Sequence, residues 1–386
     1  MNEPNITTAP ARRPRILVSD DQPDILVALE LLLKFNGYQI ECVDSPQKAL
    51  QTADARFDLA LLDLNYTRDT TSGKEGLELL AELRRRFDML PIVVMTAWGN
   101  VELAVEAMRL GASDFVQKPW DNTRLLETVK NGLDSAAASK RAAQAARSEL
   151  DIARHVQEKL FPQKFAPLAT LDYAGRCVPA RVVGGDYYDF FDEGSGRVAG
   201  VLADVSGKGV AAAMLMANLQ ALFRAQFEAG LDDAAEILIT VNRLFHGASP
   251  SEQYVTLFYF DYNESSRTLR YVNCGHPSPL LVRASGAEER LGATATVVGL
   301  FLKWECETAT VTLNAGDRVF AFTDGATDCV LKSGEELGED GFVDLARTAQ
   351  GNSAAELVED TLRKLATCGG GCDLVDDQTV VALLAR

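Results

Sequence analysis

The chain has 386 residues, 47% hydrophobic and 24% charged. That is enough apolar material for two to three cored domains and excludes global disorder. Its 38 Lys and Arg stand against 55 Asp and Glu, a net charge of −17, so phosphate backbones and anionic lipid surfaces are repelled and neither nucleic acid nor membrane is an expected partner. With only three His, acid–base or metal chemistry must rest on carboxylates.

The opening MNEPNITTAPARRPR has no apolar run, and residues 1–14 read as a disordered tail. No stretch of about 18 apolar residues follows, so the expectation is a cytoplasmic protein without a signal peptide or membrane span. Seven irregularly spaced Cys read as reduced thiols, and Cys368 and Cys372 as small residues flanking a Gly-rich loop.

From 15 to 132, short apolar runs at Arg15–Ser19, Gln39–Val43, Leu59–Asp63, Ile92–Thr96 and Asp114–Gln117 alternate with amphipathic stretches such as Asp24–Phe35, Gly76–Arg86, Val101–Leu110 and Thr123–Leu133. This order predicts an α/β fold: a doubly wound, five-stranded parallel sheet of the flavodoxin-like kind. Residues 133–162 differ. They are Ala-rich with mixed charges and no Gly or Pro before Pro162, which predicts one long helix continuous with the last helix of the preceding domain. Leu150, Ala153, Val156 and Leu160 form a seam that could pair with a second copy as a coiled coil.

Residues 163–386 are β-rich. Strands are expected at Arg197–Asp204, Tyr254–Asp261, Leu269–Asn273, Pro279–Val282, Arg318–Thr323 and Thr379–Leu384, with helices at Val210–Ala229, Ala234–Phe245, Gly341–Ala349 and Ala354–Cys368.

Two carboxylate constellations stand out. In the first, Asp20 and Asp21 follow the first strand, Asp63 ends the third, Thr96 ends the fourth and Lys118 follows the fifth. All lie at the carboxyl edge of a parallel sheet, where such folds bind ligands. Three acids there imply a hard cation such as Mg²⁺, and an Asp beside it can accept a phosphoryl group. These residues resemble the receiver domain of two-component response regulators. The resemblance implies that Asp63 is the phosphoacceptor and that Asp20, Asp21, Asp63 and the Asn65 carbonyl bind Mg²⁺. It further implies that Thr96 and Lys118 contact the phosphoryl group, that Phe115 is the aromatic switch, and that a sensor histidine kinase is the partner. The loop NYTRDTTSGKEG after Asp63 is about five residues longer than the family's usual one.

In the second, Asp186 in GGD, Asp204 in LADVSGKG, Asp324 in FTDGATD and the pair Asp376-Asp377 punctuate the C-terminal domain. Converging carboxylates without His suit Mg²⁺ or Mn²⁺, and two such ions can clamp a phosphoryl oxygen for in-line attack. The ordered set GGDYYDFF, ADVSGKGVAAAMLMA, YVNCGHPSPLL, VVGL, GDRVFAFTDGATD and DDQTVV resembles the SpoIIE-type branch of metal-dependent PPM serine/threonine phosphatases, an α/β sandwich, over about 150–386. ELDIARHVQEKLFP resembles the helix leading into that domain. The resemblance implies two Mn²⁺ or Mg²⁺ held by Asp186, Asp204, the Val205 carbonyl, Asp324, Asp376 and, less directly, Asp377. It implies a structural His276 and first helices (Met214 to Met216, Leu219–Phe223) that either fill the core or shift to complete the metal site. Arg181 is a candidate for phosphate binding, and Lys208 either meets substrate phosphate or sits on a solvated loop.

The combined expectation is a response regulator in which phosphorylation at Asp63 controls a phosphatase. Its implied substrate is a phosphoserine or phosphothreonine protein of the STAS-type anti-sigma-factor antagonist class in a partner-switching pathway, and a homodimer through the linker helix and receiver is expected. The alternative is a catalytically silent PPM-like binding module that sequesters or delivers a partner protein.

Overall fold

The computed structural model describes residues 12–66, 73–96, 101–163, 167–369 and 374–386, in two compact units divided between Arg147 and Ser148. The first unit runs β1 (Arg15–Ser19), α1 (Pro23–Phe35), β2 (Gln39–Val43), α2 (Pro46–Thr52), β3 (Leu59–Asp63), α3 (Lys74–Arg86), β4 (Ile92–Thr96), α4 (Val101–Arg109), β5 (Asp114–Gln117) and α5 (Asn122–Glu158). Its strands are parallel in the order β2-β1-β3-β4-β5.

Side-chain alternation explains why helices cover both faces. Leu17, Ala60, Leu62, Ile92 and Val94 enter one core, while Ile16, Val18, Leu59, Leu61, Val93 and Met95 enter the other. Every residue of β3 is therefore buried, and an unbroken apolar run is the signature of a central parallel strand. The helix α2, only seven residues long, is too short to reveal a helical period.

The expected long helix is present. α5 spans 37 residues, and its buried positions, Leu125, Thr128 and Val129, all lie near its start. From Lys140 to Glu149 every residue is exposed, so helix propensity holds that stretch together rather than packing within the chain.

The second unit carries β6 (Leu171–Val178), β7 (Asp186–Gly194), β8 (Arg197–Val205), α6 (Val210–Glu228), α7 (Ala234–Ala248), β9 (Val255–Asn263), β10 (Thr268–Cys274), β11 (Leu280–Val282), β12 (Glu288–Arg290), β13 (Ala309–Thr312), β14 (Arg318–Phe322), α8 (Asp324–Thr327), α9 (Gly338–Arg347), α10 (Ala354–Cys368) and β15 (Gln378–Ala385). Two antiparallel sheets form, ordered β13-β10-β9-β8-β7 and β12-β11-β14-β15-β6. Alternation along β8 again sets the layers. Val198 and Leu202 point into a core between the sheets with Phe258, Val319 and Val381, whereas Ala199, Val201 and Ala203 face α6 and α7. The other sheet packs its outer face on α9 and α10 through Phe320, Phe322, Phe342 and Leu357. The result is a helix–sheet–sheet–helix sandwich.

β6 and β7 were not among the expected strands. β7 reads DYYDFFDEG and buries both faces, Tyr187 and Phe191 on one side, Tyr188 and Phe190 on the other, so it lacks polar–apolar alternation. Asp189 inside it is fully buried and accepts the Tyr187 hydroxyl at 2.8 Å and both ends of the Arg224 guanidinium at 2.8 and 2.5 Å. Arg224 also lies over the Phe191 ring, 5.0 Å from its centre. This bidentate pair ties α6 to β7. Among the described residues no helix is long and apolar enough to cross a membrane.

Candidate functional site

In the first unit, β1 ends immediately before Asp20, β3 ends on Asp63, and Lys118 follows β5. Carboxylate oxygens of Asp20, Asp21 and Asp63 lie within 4.8 Å of one another. Lys118 Nζ bridges two of these acids, 2.6 Å from Asp20 Oδ2 and 2.9 Å from Asp63 Oδ2. Burial pushes the Asp63 carboxyl up to about 6; the Lys118 ammonium opposes that rise and the Asp20 charge adds to it. Asp63 Oδ1 and the side-chain oxygen of Asn65 are buried without a hydrogen-bond partner. An all-oxygen donor set with orphaned acceptors fits a hard divalent cation.

Thr96 is buried at the end of β4, and its carbonyl accepts the Lys118 N–H at 2.7 Å. Phe115 on β5 is 37% exposed. Tyr66 was not singled out by sequence; its buried hydroxyl lies 2.7 Å from Ser19 Oγ and fastens the start of the loop after β3. Residues 67–72, half of the long loop, lie outside the described residues.

In the second unit, antiparallel register sets Asp186, the first residue of β7, directly opposite Asp204 near the end of β8. Opposed residues on one sheet face have Cβ atoms about 5 Å apart, so two carboxylates are forced together. Asp186 Oδ2 accepts hydroxyls from Thr323 at 2.7 Å and Thr379 at 2.5 Å. Burial, then the neighbouring Asp204 charge, raises the Asp186 carboxyl well above its usual range. Asp204 and Asp324 are also raised, by burial first and by neighbouring acids second. The Val205 carbonyl lies against Gly185. Mutually raised, half-desolvated carboxylates form an oxygen-only donor set that fits divalent cations.

Two of the expected residues stand beside these acids and have partners of their own. Asp376 Oδ2 pairs with Lys208 Nζ at 2.7 Å. Asp377 accepts backbone N–H groups from Ala180 and Gly185, each at 2.8 Å. A side chain on Gly184 would collide with the Asp377 carboxylate, and one on Gly325 with the Asp377 backbone carbonyl, so both positions need glycine for close approach. Arg181 is exposed near Gly209 and makes no ion pair with a described residue. Sequence reading missed Thr323 and Thr379 as carboxylate partners, although both stand inside the quoted motifs.

His276 is buried. Its backbone N–H donates to Asn273 Oδ1 at 2.8 Å, and its Nδ1 lies 2.9 Å from Thr256 Oγ1. Burial drives its pKa down to about 3, so it stays neutral at working pH and cannot serve as a general acid. The unfolded chain takes up this proton near 6.5 and the folded chain does not, so stability is full above that value and falls as pH drops below it. Between pH 7.5 and 5.5 His276 should cost the second unit about 1.4 kcal/mol. Urea midpoints for wild type and His276→Asn at both pH values check this: the variant should lose less stability over that interval, and an equal loss contradicts the assignment.

The family described as Stage II sporulation protein E (SpoIIE) matches residues 194–386, and the response regulator receiver domain matches residues 16–130. Phosphoserine phosphatase RsbU of Bacillus subtilis is 30% identical over 245 residues, which cover 62% of this chain and 71% of RsbU. Protein IcfG of Synechocystis sp. is 24% identical over 300 residues, but the match spans 71% of this chain and only 45% of IcfG. Among solved structures, the RsbU and RsbW domains of Rv1364c from Mycobacterium tuberculosis align with a TM-score of 0.50 at 28% identity, over 57% of this chain and 61% of that one. The SiaA-PP2C domain of Pseudomonas aeruginosa aligns with a TM-score of 0.56 at 22% identity, over 63% of this chain and 98% of that one, a likeness of fold. With its acids gathered at the ends of β7, β8 and β14 and an acidic trio with Lys118 at one edge of a parallel sheet, the chain belongs to the SpoIIE family of protein serine/threonine phosphatases and carries a response-regulator receiver domain ahead of the phosphatase domain.

Proposed function

We propose that a sensor histidine kinase phosphorylates Asp63, and that the state of Asp63 sets the rate at which the second unit hydrolyses a phosphoserine or phosphothreonine on a partner protein. The observation that carries this reading is α5: one uninterrupted helix begins in the receiver unit at Asn122 and ends in the phosphatase unit at Glu158. Kinship with RsbU, whose name describes a phosphoserine phosphatase, supports a phosphoserine substrate, and the resemblance to the SpoIIE-type branch extends this to a STAS-type anti-sigma-factor antagonist.

Asp20, Asp21, Asp63 and the Asn65 carbonyl would hold Mg²⁺ in the receiver. Asp186, Asp204, the Val205 carbonyl, Asp324 and Asp376 would hold two Mn²⁺ or Mg²⁺ in the phosphatase. When bound, those ions supply Lewis acidity toward the phosphoryl group and the attacking water. The chain itself does the positioning. Thr323 and Thr379 orient the Asp186 carboxylate, and Asp377 anchors the 180–185 segment through the Ala180 and Gly185 amides. Lys208 is committed to Asp376, whereas Arg181 makes no ion pair with a described residue and is available to a phosphate. Ile152 and Val156 on α5, 63% and 58% exposed, share one helix face and suit pairing with a second copy.

The test is phosphate release from an aryl phosphate with Mn²⁺, with and without an acyl-phosphate donor that loads Asp63. Release should require metal and change with the donor; its absence in both states from folded protein would sink the reading and favour the silent binding module. Asp204→Asn should abolish release while leaving the unfolding midpoint unchanged or raised, because one of several mutually repelling charges is removed. An active Asp204→Asn enzyme would refute the site assignment. Two Gly inserted after Ala143 should erase the donor response and preserve basal release, since Gly breaks helical continuity. An undiminished donor response in that variant would show that α5 is not the connection.

A further inference from the structure

The last turn of α5 meets the metal-binding edge of the sandwich through one side chain. Gln157 Nε2 donates to the Gly184 carbonyl at 2.7 Å, and the Gly184 N–H donates back to Gln157 Oε1 at 3.1 Å. A single amide thus satisfies both backbone groups of one residue, in a segment that lies just before β7 and outside its ladder. The next N–H, from Gly185, goes to Asp377 Oδ2. Residues 183 to 186 are buried, and Asp186 follows directly. The segment delivering the Asp186 carboxylate is therefore held from one side by the helix and from the other by Asp377.

The surroundings make this contact decisive. A cavity of about 410 Å³ lies beside it, lined by Arg154, Gln157, Phe161, Cys177, Gly184 and Asp186 among others. Close packing does not fill the space between the helix end and the Asp186 strand. The nearby Arg154 and Arg176 are occupied by Glu158 and Glu359 and make no claim on the segment. One turn further on, Phe161 packs against Tyr188, with ring centres 5.2 Å apart, and this contact anchors the chain just past the helix end. The open cavity leaves the two Gln157 bonds as the polar link between the helix end and the Asp186 segment, with no close packing to back them.

We propose that Gln157 is a positioning residue. It couples the rotational state of α5 to the placement of Asp186, and so to metal affinity and turnover. The proposal rests on the phosphatase reading above and names the atoms through which regulation reaches that site. Both hydrogen bonds are required, because a group that only donates or only accepts leaves one buried backbone group of Gly184 without a partner.

The test uses the full-length chain carrying Gln157→Leu, which loses both bonds, and Gln157→Glu, which keeps the shape but cannot donate. Gln163→Ala is the control, since that amide bonds only the Glu158 and Phe161 carbonyls. Titration with Mn²⁺ followed by electron paramagnetic resonance should show affinity weakened on the order of tenfold in both Gln157 variants and unchanged in the control. Turnover of an aryl phosphate at fixed Mn²⁺ should lose kcat by a similar factor with KM within about twofold, and the response to the acyl-phosphate donor should disappear. Hydrogen exchange at the Gly184 amide should accelerate in the variants while exchange in β8 and β9 stays at the wild-type level, which separates a released segment from an unfolded domain. Wild-type Mn²⁺ affinity, kcat and donor response in a folded Gln157→Leu chain would overturn the proposal. A wild-type chain without metal-dependent release would instead overturn the phosphatase reading. Exchange at Gly184 would then still decide the clamp: protection that survives Gln157→Leu refutes it.

Discussion

Carboxylates brought together in a partly dry setting constrain both halves of this molecule. A buried charge without a partner is far too costly to keep, so each site must hold its acids apart, share protons among them or supply positive charge. The receiver places Lys118 between Asp20 and Asp63. The phosphatase instead lends neutral donors to Asp186, the Thr323 and Thr379 hydroxyls, and leaves Asp204 and Asp324 raised toward their protonated forms. Lys208 attends to Asp376. Divalent cations relieve the same electrostatic strain more completely, and oxygen-only donors suit them. The surrounding architecture follows from that demand. Strand ends carry the acids, glycines at 184 and 325 allow Asp377 to come close, and buried hydroxyls face inward in an otherwise apolar layer.

The two halves reach this outcome through different sheet geometry. In the parallel receiver sheet all strand ends with acids fall on one edge, because every strand points the same way. In the antiparallel sandwich neighbouring ends alternate, so convergence must come from register: Asp186 opposes Asp204 within one sheet, while Asp324 and Asp376 arrive from the other, flanking β14 and β15. The receiver acids consequently lie within 4.8 Å of one another, and among the described residues no other acidic trio is that tight. The phosphatase acids are spread wider, because they come from two sheets rather than from one edge.

Much of this was legible in the sequence. The receiver strands match the expected spans because β3 and β4 are apolar up to a polar last residue, while β1, β2 and β5 stop at Asp20, Asp44 and Lys118. The strands of the second unit were legible where an apolar run stood unbroken between turn residues, as in Val198–Ala203 of β8 between Gly196 and Asp204, and invisible where acids interrupt the run, as Asp189 and Asp192 do in β7. Only the family resemblance set Asp376 ahead of Asp377, since by residue type two adjacent acids at a turn have equal claims. Only the fold turns Asp377 toward the Ala180 and Gly185 amides. Arg224 carried no signal either: it sits in a helix whose apolar spacing announced a core face, yet it closes on an acid 35 residues earlier. Gln157 was hidden for the same reason, because partnership with a distant backbone leaves no local pattern.

The chemistry of the Gln157 contact also limits how strong regulation through it can be. A neutral hydrogen bond contributes about 0.5–1.5 kcal/mol net, so two of them can bias the Asp186 segment by about 1–3 kcal/mol. Coupling free energies in regulated proteins typically fall in that range, equivalent to roughly 5–150-fold in an equilibrium. An ion pair buried at the same place would couple more strongly, but it would put a further charge beside acids that already repel one another. A large apolar contact would couple strongly too, yet it would resist rearrangement because close-packed cores do not slide without loss. A neutral amide beside an open cavity avoids both difficulties. It can be broken by a small movement of the helix, it leaves the electrostatic balance at Asp186 and Asp204 intact, and the Phe161–Tyr188 contact keeps the helix end in place for the bonds to reform.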